Sequence, residues 1–159
     1  MGINMKKDNR QNLTTKIAYI AGFIDGEGCI RIKRANSGGN SYYVTLQVTN
    51  TDKSPLVLIQ NIFGGKVYFQ EKGTNKIVWQ YYSTCNEAID TLRTLEGFLV
   101  CKKEQAKLAI YFHDNKGILD NNDKKTIYQK MRDMKVIGNA YENPELLDRK
   151  RLQENAKKE

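Results

Sequence analysis

Histidine is almost absent: His113 is the only one, and the three cysteines, Cys29, Cys85 and Cys101, stand far apart. No Cys pair falls two to four residues apart, which excludes the usual zinc-ribbon and zinc-finger spacings. An odd number of widely spaced thiols fits a reduced, intracellular compartment better than a disulfide framework. No apolar run approaches the length that spans a bilayer, so no membrane is expected as a partner. The start, Met1-Gly2-Ile3-Asn4-Met5-Lys6-Lys7, lacks the apolar stretch of a signal peptide. Acidic residues are also short: 18 Asp and Glu face 26 Lys and Arg, a formal net charge of +8. That excess concentrates polyanions, nucleic acid above all, around the chain. What is present is a 40% apolar fraction in 159 residues, enough to bury one real core without staples.

Residues 1–13 are polar, with Lys6, Lys7, Asp8 and Arg10, and read as a flexible basic arm. Thr14 or Thr15 then offers an N-cap to an apolar helix through Ile17, Ile20, Phe23 and Ile24, which Gly26 and Gly28 stop on either side of Glu27. Residues 29–34 and 42–50 alternate as strands around a flexible turn over 35–41. Pro55 suits the start of a helix carrying Leu56, Ile59 and Ile62. A second hairpin follows, 66–72 and 76–83, then helices near 85–96, 102–112 and 126–137, and a charged tail over 144–158. Two hairpins make one four-stranded antiparallel sheet, with helices on one face. The other face would carry Arg31, Lys33, Tyr43, Thr45, Gln47, Thr49, Lys66, Tyr68, Gln70 and Lys72, and the aromatics Trp79 and Tyr81 join that set. Such a polar, net-positive strip suits a sheet laid on a nucleic acid groove, although an antiparallel sheet commonly keeps one wet face for no further reason.

The stretch Ile20-Ala21-Gly22-Phe23-Ile24-Asp25-Gly26-Glu27-Gly28 resembles the signature of the LAGLIDADG homing endonucleases. The order of helices and hairpins over about 14–113 resembles the core of that family, and Leu95-Glu96-Gly97-Phe98-Leu99-Val100-Cys101-Lys102-Lys103-Glu104-Gln105-Ala106 resembles the segment after its third core helix. The resemblance implies an α+β fold, an αββαββα core with a four-stranded antiparallel DNA-binding sheet, followed here by extra C-terminal helices over about 126–159. The whole of 14–159 would then be one endonuclease domain.

The motif has a physical logic. Gly22 and Gly26 are four residues apart and share a helical face, so two such helices can approach closely. Ala18, Ala21, Gly22, Asp25 and Gly26 are the expected dimer interface. The approach gathers two copies of Glu27, whose carboxylates repel unless a divalent cation sits between them. By the resemblance, Glu27 is the catalytic metal ligand, the Gly26 carbonyl assists it, and Asp25 serves the helix end. The cofactor so implied is Mg²⁺, for which Mn²⁺ can substitute. Lys102 falls on a lysine that the family uses near the scissile phosphate, with Lys103 the alternative if the register shifts by one. Asn50 falls where the family often has glutamine. Ser54 stands where the family commonly has arginine, and the adjacent Lys53 is a candidate substitute.

The chain holds one motif, so one active constellation requires two chains. The implied activity is site-specific double-strand cleavage of a long pseudo-palindromic DNA by metal-dependent phosphodiester hydrolysis, in intron homing. The alternatives are a maturase that binds its intron RNA, a non-catalytic DNA-binding protein of the same fold, and a protein-interaction module with incidental charge. The expected compartment is intracellular, either an organelle (chloroplast or mitochondrion) or the cytoplasm of a bacterium or archaeon.

Overall fold

The computed structural model describes the backbone of residues 5–35, 39–72 and 76–142, and the side chains of 11–35, 39–71 and 78–135. The elements run α1 (Met5–Glu27), β1 (Gly28–Arg34), β2 (Tyr42–Asn50), α2 (Ser54–Phe63), β3 (Lys66–Lys72), β4 (Lys76–Thr84), α3 (Cys85–Leu95), α4 (Lys103–Asn115) and α5 (Asn121–Glu142). The strands form one antiparallel sheet in the order β1-β2-β4-β3. This is the α+β architecture expected from the two hairpins.

One face of the sheet packs on helices. Ile30, Ile32, Val44, Leu46, Val48 and Tyr81 are buried there with Ile20 and Ile24 of α1, Leu56 and Ile59 of α2, and Ala88, Ile89, Leu92 and Leu95 of α3. Each such Ile, Leu or Val side chain contributes roughly 1.5–3 kcal/mol by leaving water. The cluster fixes the register, because a one-residue slip would carry the β2 aliphatics to the polar face. β1 pairs with β2 from Gly28↔Val48 to Arg34↔Tyr42. β2 pairs with β4 through Gln47↔Tyr82, and β3 with β4 through Lys66↔Tyr82.

Two ends differ from the sequence reading. Within the 1–13 arm, the chain is already helical from Met5. No Gly or Pro interrupts residues 5–21, and Thr15 sits inside the helix, its hydroxyl donating to the Gln11 carbonyl at 2.9 Å instead of capping. α5 starts five residues before the expected 126, because the Asp120 carboxylate accepts the Asp123 amide at 2.7 Å and caps it. The start of α2 is held likewise: Asp52 accepts the Ser54 amide at 2.8 Å, which keeps its carboxyl below the usual carboxylate range. The tail expected over 144–158 lies outside the described residues.

Candidate active site and DNA-facing sheet

The helix-to-strand junction positions the site. α1 ends at Glu27 and β1 begins at Gly28 with no loop between them. A Cβ at position 28 would stand 2.6 Å from the Ile24 carbonyl oxygen and 2.8 Å from its Cγ2. Only glycine lets the strand leave so tightly over the last helical turn. Glu27 is therefore presented at the tip of α1, exposed, and makes no hydrogen bond or ion pair with a described residue.

Asp25 does the opposite. Its carboxylate accepts the Val100 amide at 2.7 Å and the Lys102 amide at 2.9 Å. The Lys102 ammonium donates in turn to the Asp25 carbonyl oxygen. The segment between α3 and α4 is thus pinned on the end of α1, and Leu99 is buried beneath it. The ammonium also places positive charge at the C-terminal end of α1, where the helix dipole favours it. Lys103, the alternative, is the first residue of α4, with no such contact among the described residues.

Asn50 ends β2 two residues beyond Val48, the partner of Gly28, and so lies at the same end of the sheet as Glu27. Its Oδ1 accepts the Asp52 amide at 2.8 Å, leaving its side-chain N–H groups to donate elsewhere. Lys53 does not extend this group: its ammonium sits 4.3 Å from the centroid of the Trp79 ring.

α1 carries an open face. Ideal Cβ atoms on Gly22 and Gly26 would meet nothing within 4 Å. Ala18 and Tyr19 beside them are exposed, Tyr19 at 52% and stacked on Phe23 at 6.2 Å. Ala21 does not belong to this face. It is fully buried in the chain's own core, because its direction on the helix points toward α3 and the sheet. Asp25, also expected at the interface, is turned to the α3–α4 segment.

The polar sheet face gathers Arg31, Lys33, Tyr43, Gln47 and Thr49 on β1 and β2, none of them buried, and Lys66, Tyr68 and Gln70 on β3, all exposed. Lys72 ends β3 in the same alternation, its side chain outside the described residues. Three expectations are corrected. Trp79 and Tyr81 lie on the helix-packed face, since Gln47 is registered with Tyr82 and Thr49 with Gln80. Tyr81 has no exposed surface, and burial pushes its phenol up. Thr45 is on the expected face but fully buried between Arg31 and Thr84 in register, its hydroxyl unpartnered among the described residues. On β4 the same side carries Val78 and Gln80, both buried, and Tyr82 and Thr84, which keep exposed surface and which sequence reading missed because aromatics occur at both parities of that strand. Tyr82 is the most informative, its ring lying 5.3 Å from the Lys33 ammonium.

Residues 20–100, just over half of the chain, match the family model described as LAGLIDADG endonuclease. The chain belongs to the LAGLIDADG endonuclease family. Among solved structures it is similar to the homing endonuclease I-CvuI in complex with its target in the presence of Ca, at 24% identity and a TM-score of 0.63, over 76% of this chain and 82% of that one. It is similar to I-CvuI in complex with the I-CreI target in Mg at 25% identity and TM-score 0.61, over 76% and 82%. A third is the archaeal intron-encoded homing endonuclease I-Vdi141I complexed with DNA, at 21% identity and TM-score 0.62, over 76% and 84%. No curated protein sequence matches the chain. Within the LAGLIDADG endonuclease, the tip of α1, Lys102 and Asn50 form the candidate active site, and the Gln47–Tyr82 face the candidate reading surface.

Proposed function

We propose that this LAGLIDADG endonuclease is a homodimer that cuts both strands of a long pseudo-palindromic DNA target in intron homing, with one Glu27 from each subunit and a divalent metal ion. The observation that carries the reading is the open small-residue face of α1 ending in an exposed, unpartnered carboxylate. Two copies of that helix can pack closely along Gly22 and Gly26, with Ala18 alongside, and bring the two Glu27 side chains to one axis.

The donor set suits a hard cation. Glu27 and the Gly26 carbonyl offer oxygen ligands, as Mg²⁺ requires and as Mn²⁺ accepts. Among the described residues no group of three or more His, Cys, Asp or Glu could hold a metal within one chain. A second copy doubles the oxygens, and a divalent cation between the two carboxylates would offset their mutual repulsion. An ion held there supplies activation of water and neutralisation of charge on the phosphate. The protein's own contribution is positional. Asp25 fixes the Lys102 segment on the helix end, the Lys102 ammonium adds positive charge near the reacting phosphate, and the free N–H groups of Asn50 orient water. Gln47 and its neighbours read base edges in the flanking major grooves, the two sheets lying end to end. The exposed carboxylate favours cleavage over a purely RNA-binding maturase role, which requires no acidic residue at that point.

The test is cleavage of a library of pseudo-palindromic duplexes. Double-strand cuts in a subset of sequences with Mg²⁺, absent in EDTA, are expected. Cleavage that persists in EDTA, or that ignores sequence, contradicts the proposal.

A further inference from the structure

α5 builds a second basic surface at the edge of the sheet. Tyr128, Arg132 and Lys135 recur at helical spacing, and Met131 beside them is buried at 1%. Tyr128 packs on Tyr42 at 5.4 Å, so the helix runs along the edge strand β1 and its far end reaches round to the polar face. There the Lys135 ammonium donates to the Cys29 sulfur at 2.5 Å, and Arg31 Nε donates to the same sulfur at 3.1 Å. Between helix and strand lies a furrow of about 580 Å³ walled by Arg31, Lys33, Arg34, Arg132 and Lys135.

Each of these five cations is steered by a neutral or soft partner. Arg132 lies 5.7 Å from the Tyr128 ring, Lys33 lies over Tyr82, Arg34 Nε donates to the Gly39 carbonyl at 3.1 Å, and Arg31 and Lys135 share the thiol. The two ion pairs among the described residues, Arg93 with Asp114 and Lys107 with Glu104, involve none of them. Burial depresses the Lys135 ammonium; the Cys29 thiol opposes that, while Arg31 and Lys102 add like-charge repulsion. Burial pushes the Cys29 thiol up, yet the hydrogen bonds and charges of Lys135 and Arg31 outweigh it and leave the thiol lowered. No carboxylate lines the furrow itself, Asp133 lying in the adjoining groove beside Arg34 and Arg132, so the five cations form a net-positive anion seat whose chemistry phosphodiester oxygens meet.

We propose that the furrow between β1 and α5 seats the phosphate backbone of the DNA target where it leaves the sheet, so that α5 clamps the strand that the sheet reads. The inference rests on the DNA-endonuclease reading given above. DNA is favoured as the occupant because Arg31, Lys33 and Tyr43 belong at once to the furrow and to the reading face. The clamp adds affinity and register and carries no sequence information.

The experiment is a gel-shift titration of a duplex selected by cleavage, at several salt concentrations. The proteins are wild type, Arg132→Gln, Lys135→Gln, the double variant, and Arg93→Gln as a charge-matched control on the α3–α4 side. Each single change in the furrow is expected to lower the slope of log affinity against log salt by about one, and the double change by about two. The double variant should bind roughly tenfold more weakly near physiological salt, with its base-preference profile unchanged. Arg93→Gln should leave the slope as it was. Arg132 is exposed, so Arg132→Gln alone carries the test if Lys135→Gln fails to fold. An unchanged slope in the furrow variants overturns the clamp, and so does a shifted base profile. Lost binding to an RNA duplex with DNA binding intact overturns it in favour of an RNA seat. A wild-type protein that selects no DNA sequence would instead sink the endonuclease reading on which the clamp rests.

Discussion

Gln47 and Thr45 stand two residues apart on one face of β2, and their surroundings separate them. Gln47 keeps exposed surface opposite Cys29 and Tyr82, whereas Thr45 is fully buried with an unpartnered hydroxyl. The strand's period of two was legible in the sequence; the closure of the sheet's centre by longer neighbours was not, since it depends on three strands at once. Selection for cleavable sites should therefore give two different answers. Gln47→Ala should change the preferred base at symmetric positions of both half-sites. Thr45→Val should leave the profile unchanged and hold or raise thermal stability, by up to about 1 kcal/mol, because it removes a buried hydroxyl with no partner. A base change caused by Thr45→Val equal to that of Gln47→Ala would contradict this division. The assignment of Trp79 and Tyr81 failed for a related reason. Residues 76–84 carry tyrosine or tryptophan at both parities, so only the observed register shows which set meets the helices.

At the scale of elements, the end of α1 and the α3–α4 segment behave as one unit, joined through Asp25. The order of elements was read from turn glycines, Pro55 and apolar spacing together with the family resemblance, and Ala88, Ile89, Leu92 and Leu95 are buried along one side of α3, as their spacing requires. Helix ends were harder to place. Thr14 and Thr15 look like caps, yet the residues before them contain nothing that breaks a helix. The role of α5 was the least visible, because its crossing of the β1 edge is a tertiary fact. Asp25→Ala removes one acceptor from two backbone amides, each worth roughly 1.5–3 kcal/mol when made to a charge and less where water can substitute. A fall in melting temperature of about 4–8 °C is expected, which corresponds to about 2 kcal/mol for a chain of this size. Cleavage should fall more steeply than DNA affinity, since the Lys102 segment loses its anchor while the sheet face does not. Calorimetry beside cleavage kinetics checks both, and an unchanged melting temperature would remove Asp25 from its structural role.

For the whole molecule, the subunit leaves room that it does not use. Gly22 has no neighbour within 4 Å of a Cβ in its own chain, so Gly22→Leu should fold. It should also hold the two helices apart through overpacking. Sedimentation should show the wild type as a dimer at micromolar concentration and Gly22→Leu as a folded monomer without cleavage activity. A wild type that sediments as a stable monomer and still cuts both strands would contradict the two-chain site.

The proposed site is complete only when Glu27 from each of two chains meets at one metal ion. The most direct measurement is Glu27→Gln, assayed for nicking and double-strand cleavage of a selected site beside a gel-shift titration of the same preparations. The change keeps the shape of the side chain and removes the charge that would hold the ion, while the open α1 face and the sheet stay as they are. No detectable cleavage is expected, with specific binding retained or tightened because two carboxylates no longer repel the phosphates, and wild type in EDTA should behave alike. Cleavage by Glu27→Gln at the wild-type rate under saturating Mg²⁺ would show that the site lies elsewhere.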